Sequence, residues 1–358
     1  MKILVGLSGG VDSATAAALL QRAGHDLTAV TMQICGGGSG STLKRRGCYG
    51  AGKSGDIDDA RKVAAHLGIP FKVLDLSREY EKEVLEEFRA GYAAGRTPNP
   101  CVRCNPRIKF GALLDEARAA KLEFDRFATG HYANVEFNAE TGRFLLKKAT
   151  DGKKDQSYFL SFLNQRQISL ALFPLGGYAK AQVRKMAAEM GLPVSDKPES
   201  QDFASGGCDD IFPNTPPGPV MDVYGRMLGE HRGISHYTIG QRKGLCIPGG
   251  DKLYVVRIVP ESNAIIVSDE DALMASTMSV TNLNWIAVEK PAEHIRAEVK
   301  IRSSAAPAAA LLHSPQADRM AVTFDCPQRG IAPGQAAVFY QDDIVLGAGI
   351  IANGSQEL

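Results

Sequence analysis

The sequence predicts an α/β domain built on a doubly wound parallel sheet, followed by a small mixed domain and a C-terminal β-barrel. Three features carry that expectation. Residues 1–24 read as strand, glycine turn, helix and stop, and strand-like and helical runs then alternate to about residue 95, the rhythm of a parallel sheet covered on both faces. From about residue 275 the chain changes to short alternating runs between turns, which suits a closed barrel. The expected divisions are 1–203, 204–272 and 273–358.

In the opening MKILVGLSGGVDS, Ile3, Leu4 and Val5 form an apolar run suited to a strand buried on both faces. Gly6, Leu7, Ser8, Gly9 and Gly10 break it, and Val11, Asp12 and Ser13 stand where a helix begins that stops at Gly24. Glycines admit an anion, and the first backbone N–H groups and the positive end of the helix dipole attract it. Phosphate is the expected guest. The block SGGVDS resembles the pyrophosphate loop of the ATP-pyrophosphatases, the PP-loop superfamily. That resemblance implies ATP with Mg²⁺, cleavage between the α and β phosphates, and Asp12 as metal ligand or loop organiser.

The chain has 358 residues, enough for two or three domains. Its 41 basic and 40 acidic side chains exclude a globally basic nucleic-acid wrapper, so any RNA contact must come from local patches. No apolar run is long enough to span a bilayer, and KILVGLSGG is broken too early for a signal peptide. A cytoplasmic location is expected. In a reducing compartment the seven cysteines read as metal ligands, reactive thiols or small core residues rather than as a disulfide framework.

HDLTAVTMQI reads as a second strand, whose end places Met32 beside the first loop as an adenine contact or a core methionine. A polar, glycine-rich insert follows. Residues 47–54, GCYGAGKS, match the Gly-x4-Gly-Lys-Ser nucleotide pattern, but the preceding STLKRR is too polar for the buried strand that pattern requires. Lys44, Arg45, Arg46 and Lys53 serve RNA phosphates or solvation. DIDDARKVAAHLGI is a helix capped by Asp56 and closed at Gly68, PFKVLDL a third strand, and EYEKEVLEEFRAGYAAG a long helix.

Residues 96–110, RTPNPCVRCNPRIKF, hold Cys101 and Cys104 two residues apart, among three prolines that argue against a regular helix. Arg96, Arg103, Arg107 and Lys109 favour a thiolate, so a reactive or metal-bound cysteine is expected. The spacing fits a dithiol, half of a zinc site or part of an iron–sulfur site; a second ligand pair for zinc is absent.

Later runs add further candidates. ATGHYA at 128–133 should end a central strand, with Gly130 permitting close backbone approach and His131 reaching RNA. Lys153, Lys154, Asp155 and Gln156 lie on a polar turn after Lys147 and Lys148, a local basic patch. SYFLSFLNQRQISLALF and AKAQVRKMAAEMGL read as amphipathic helices. YVVRIVPESNAIIVSD reads as paired strands in a middle region that also holds His236, Gln241, Arg242 and Lys243. Cys246 and Cys326 read as structural.

Taken together, SGGVDS, GRTPNPCVRCNPRIKFG, ATGHYA, KKDQSYFL, FPLG, KPESQDF and HYTIGQRKGL look like the tRNA-specific 2-thiouridylase family, in order and along essentially the whole chain. The resemblance implies adenylation of the C2 carbonyl oxygen of a wobble uridine, then sulfur transfer giving 2-thiouridine, AMP and pyrophosphate. It implies Cys104 as nucleophile, tRNA contacts from His131, Lys154, Asp155, Gln156, Ile301, Arg302 and Gln335, acceptors for lysine, glutamine and glutamate, and a sulfur donor protein or sulfide. One departure stands out. The family's second cysteine, in the motif Ser-Gln-x-x-Cys, is Ala204 here. Cys208 or Cys48 takes its place, or Cys101, Cys104 and one of those two hold a [4Fe–4S] cluster. Competing classes are an amidotransferase-like or argininosuccinate-type ligase, which has no use for the thiol pair, and a noncatalytic RNA-binding protein.

Overall fold

The computed structural model describes residues 1–34, 53–198, 211–212, 215–245, 247, 252–289, 291–316 and 319–354. The first domain contains β1 (Lys2–Gly6), α1 (Val11–Arg22), β2 (Asp26–Gln33), α2 (Lys53–Leu67) and β3 (Phe71–Asp75). Next, α3 (Ser77–Tyr80) runs through a π-helical stretch (Glu81–Glu86) into α4 (Glu87–Ala93). A second such run follows: α5 (Pro100–Cys104), a π-helical stretch (Asn105–Ala112) and α6 (Leu113–Ala119), leading to β4 (Arg126–Ala128). The hairpin β5 (Asn134–Asn138) and β6 (Arg143–Lys147), short helices α7 (Ser157–Leu160) and α8 (Gln165–Leu170), β7 (Ala171–Leu172) and α9 (Lys180–Glu189) complete it.

Five strands form a parallel sheet in the order β3-β2-β1-β4-β7. Side chains alternate across a strand, so β1 serves two cores. Ile3 and Val5 pack with Val11, Ala14 and Ala17 of α1 and with Val63 of α2, whereas Leu4 packs with Val30, Phe127, Ile108 and Cys104 on the opposite face. Both faces are covered, as the doubly wound expectation requires. The strand order reverses between β1 and β4, so the loops after those two strands lie side by side at the switch point where such sheets bind ligands.

A second, four-stranded sheet has the order β10-β11-β8-β9, from β8 (Gly218–Asp222), β9 (Met227–His231), β10 (Tyr254–Val259) and β11 (Ala264–Ser268). The last part contains β12 (Met274–Trp285), β13 (His294–Lys300), β14 (Ala308–Gln316), β15 (Arg319–Arg329), β16 (Ala336–Gln341) and β17 (Ile344–Gly354). These pair antiparallel around a ring that β12–β17 closes. The hairpin β5–β6 of the first domain joins that sheet through Lys147 opposite Ile344.

Three local expectations need correction. Helix α2 starts at Lys53, so Asp56 lies inside its first turn rather than at its cap. The proline-rich stretch is helical from Pro100, because a proline at the first helical position lacks only an N–H that would have no partner there anyway. SYFLSFLNQRQISLALF is two short helices and an edge strand, broken where Asn164 and Gln167 cap α8 reciprocally.

Candidate active site

The glycine turn is built as an anion cradle. No side chain caps the first turn of α1, so its leading N–H groups remain for a guest. Ser13 Oγ ties the turn from within, accepting from Ser8 N at 3.1 Å and donating to Gly10 O at 3.1 Å. Gly9 has φ +74°, and a Cβ there would sit 2.3 Å from the Asp56 carbonyl oxygen. Only glycine fits.

Asp12 projects from the same turn and is engaged. Lys180, at the start of α9, donates to its two carboxylate oxygens at 2.6 and 2.7 Å, and the Tyr132 hydroxyl donates at 2.8 Å. Lys180 is only 8% exposed. The loop-organising role of Asp12 is therefore the one its contacts display. Lys197 holds the other side of the turn, donating to Gly9 O at 2.9 Å, Asp56 at 2.7 Å and Asp59 at 2.8 Å. Burial opposes its charge, but the hydrogen bonds to Asp56 and Asp59 prevail and raise its pKa above the ordinary lysine value. The hydrogen bond from Lys197 holds Asp59 below the usual carboxylate range. No motif marked Lys180; Lys197 opens KPESQDF, one of the runs that carry the family resemblance, but the sequence reading attached no role to it.

The loop after β4 closes over this turn. A Cβ on Gly130 would meet Ser13 N at 2.6 Å, so the two loops touch backbone to backbone. His131 Nδ1 lies 2.7 Å from Thr129 Oγ1, and its ring sits beside Phe110 and Phe173 at 6.3 and 5.9 Å between centroids. Burial, with the nearby Lys109 charge adding, pushes the imidazole well below its ordinary value and keeps it neutral. Met32 is half-buried against the apolar core.

The thiols occupy one helical turn. Asn99 caps α5 by accepting from Cys101 N at 3.1 Å and Val102 N at 3.3 Å. Cys104 is 8% exposed within the sheet-facing core, and Cys101 is half-buried. Arg103 points away from them, toward Glu83 and Glu87. In the following π-helical stretch, Gln167 Nε2 donates to Pro106 O at 2.7 Å and Phe110 O at 3.1 Å. Phe110 then packs edge-on against Phe127, centroids 5.2 Å apart, and the Phe127 ring lies 3.2 Å from where a Gly6 Cβ would be. The thiol segment thus shares a packed core with the base of the glycine turn. A cavity of about 570 Å³ beside the thiol helix is lined by Arg96, Asn99, Arg103, Arg107, Asn282 and Asn284 among others; no glycine-turn residue lines it.

Three domain models match in series: a tRNA methyl transferase HUP domain over residues 1–204, a tRNA methyl transferase PRC-barrel domain over 209–269, and an aminomethyltransferase β-barrel domain over 275–351. The tRNA-specific 2-thiouridylase MnmA of Endomicrobium trichonymphae is 45% identical over 357 residues, covering 98% of this chain and 99% of its own. The protein of that name from Acetivibrio thermocellus is 43% identical over 359 residues, covering 98% and 99%, and the one from Moorella thermoacetica 44% over 361 residues, covering 99% and 100%. The chain belongs to the tRNA-specific 2-thiouridylase family.

Several residues singled out by that family's motifs hold this molecule together. Asp155 accepts from Ala149 N and Ser157 N, and Gln156 accepts from Tyr132 N. Lys147 pairs with Glu136 and Asp343, and Lys148 with Glu298 and the Asp342 carbonyl, so the two lysines ahead of the expected basic turn are engaged within the fold. Lys154 stays on the turn beside them, its N–H donating to Asp151 O. Ile301 is 3% exposed in the barrel core, which leaves its backbone rather than its side chain for any tRNA contact. Arg302 donates to Ile239 O and Gly330 O at 2.8 Å each, and Gln335 donates to Thr97 O at 2.6 Å. Cys326, expected as a structural residue, is exposed. Cys48, Cys208 and Cys246 lie outside the described residues. Among the described residues no three His, Cys, Asp or Glu side chains gather to hold a metal, so the two described thiols alone do not fit a three-cysteine cluster. No helix among them is long and apolar enough to cross a membrane.

Proposed function

We propose that this chain is a tRNA-uridine 2-sulfurtransferase. The uridine O2 attacks the α-phosphorus of ATP and pyrophosphate leaves; a sulfur nucleophile then attacks C2, and AMP departs with the original oxygen. The observation that carries this reading is the full-length similarity to 2-thiouridylases, because both chemically demanding segments, the glycine turn and the thiol helix, fall within it. Ligases that share only the ATP loop would not match along the middle and barrel domains.

The uncapped start of α1 supports phosphate binding through Ser8, Gly9, Gly10, Val11, Asp12 and Ser13, with Leu7 and Gly6 anchoring the turn in the core. Mg²⁺, with Asp12 as its candidate protein ligand, would supply charge neutralisation on the leaving pyrophosphate. The neutral His131, on the adjoining loop, suits contact with an uncharged base rather than a phosphate. Wobble uridines lie in single-stranded loops and splay out at low cost. Cys104, charged as a persulfide by a donor that already carries persulfide sulfur, is assigned the nucleophile: its outer sulfur attacks C2 and AMP leaves. Cys101, one turn away, or Cys208 then attacks the inner sulfur, breaking the S–S bond to leave sulfur on C2 and a Cys–Cys disulfide. Sulfide as donor would instead attack C2 directly. The lysine, glutamine and glutamate tRNAs, and a donor protein or sulfide, remain part of this proposal.

Nucleoside analysis of tRNA from cells relying on this chain tests it. Either Asp12→Ala or Cys104→Ser should abolish 2-thiouridine; normal levels with both variants would refute the assignment.

A further inference from the structure

We propose that Lys197 is a positioning residue for ATP, acting through the Gly9 carbonyl on the backbone donors of the glycine turn. The inference rests on the reading of that turn as the phosphate site. A peptide unit is planar and trans, so its C=O and N–H point in opposite directions. Lys197 Nζ holds the Gly9 oxygen at 2.9 Å, which turns the Gly10 N–H away from Lys197. Gly9 is already in a left-handed conformation and pressed against the Asp56 backbone, so the turn has little other freedom than rotation of this peptide. The ammonium is itself fixed: Asp56 and Asp59, one helical turn apart on α2, accept from it at 2.7 and 2.8 Å. These carboxylates offset its charge, Asp59 also pairing with Lys62 at 3.0 Å. Lys197 therefore acts as an oriented donor to the turn, not as a counter-charge for phosphate. Preorganised donors spare the bound state the reorganisation that a loose loop would undergo.

Calorimetric titration of the full chain with ATP and, separately, with adenosine reads this role, because adenosine carries no phosphate. Lys197→Met should weaken ATP about tenfold, the worth of one well-oriented hydrogen bond to a charged group, and leave adenosine unchanged. Lys197→Gln, which keeps an amide donor for the Gly9 carbonyl, should lose less. A parental ratio of ATP to adenosine affinity in both variants overturns the inference, whether both ligands bind normally or both weaken together. If the parent itself binds ATP no more tightly than adenosine, the phosphate-site reading falls, and the inference with it.

Discussion

Asp12 stands in the first turn of an uncapped helix and at the same time anchors the Lys180 ammonium and the Tyr132 hydroxyl. Asp12→Asn keeps the size but strands a lysine that is 8% exposed. Pyrophosphate release in the presence of tRNA should fall about 10²–10³-fold, the usual loss for a preorganised electrostatic group; a colorimetric phosphate assay after pyrophosphatase treatment measures it. His131 gives a pH prediction. Its native ring is held neutral, so below the ordinary imidazole value of 6.5 the unfolded chain binds a proton that the native state does not. Stability contributed at this position is complete above that value and is lost as pH falls beneath it. His131→Gln should therefore flatten the drop in urea midpoint between about pH 7 and pH 5 and leave the dependence above pH 7 unaltered. An identical acid slope would contradict the neutral ring. The importance of Asp12 was legible in SGGVDS; Lys180 was not, because it comes 168 residues later and carries no motif of its own.

At the scale of elements, the thiol helix depends on partners from outside it. Its start is legible, since asparagine before proline is a strong N-terminal signal, and the count of prolines alone misleads. Its continuation is not: the Pro106 and Phe110 carbonyls of the π-helical stretch accept from Gln167, a residue 61 positions beyond Pro106. Gln167→Ala leaves those carbonyls and the Asn164 N–H without that amide, and should cost about 1–3 kcal/mol of unfolding free energy in urea titration. It should also speed alkylation of Cys104, which is otherwise shielded by the core. The same element-level limit explains α7 and α8. Continuous apolar periodicity cannot show that Asn164 and Gln167 prefer capping each other to prolonging a helix.

In the whole molecule, the domains are stapled rather than strung. The hairpin at 134–147 leaves the first domain to extend the barrel sheet, Tyr158 donates to Ala336 O, and Gln335 and Thr97 bind the barrel to the chain just ahead of the thiols. The order of layers was readable from periodicity, because each strand and helix records its own buried face. These pairings were not, since they join residues some two hundred positions apart. A fragment ending at residue 203 should therefore expose the β6 edge and the Tyr158 surface, unfold with a lower midpoint and bind hydrophobic dyes, whereas equal stability to the full chain would contradict the stapled arrangement. The central claim is that thiolation divides between ATP chemistry at the glycine turn and sulfur delivery from Cys104. One reconstituted reaction with tRNA, ATP and a sulfur source tests it, counting pyrophosphate and 2-thiouridine together for the parent and Cys104→Ser. The variant should release pyrophosphate and form no 2-thiouridine; a parental yield of 2-thiouridine from it would contradict the account.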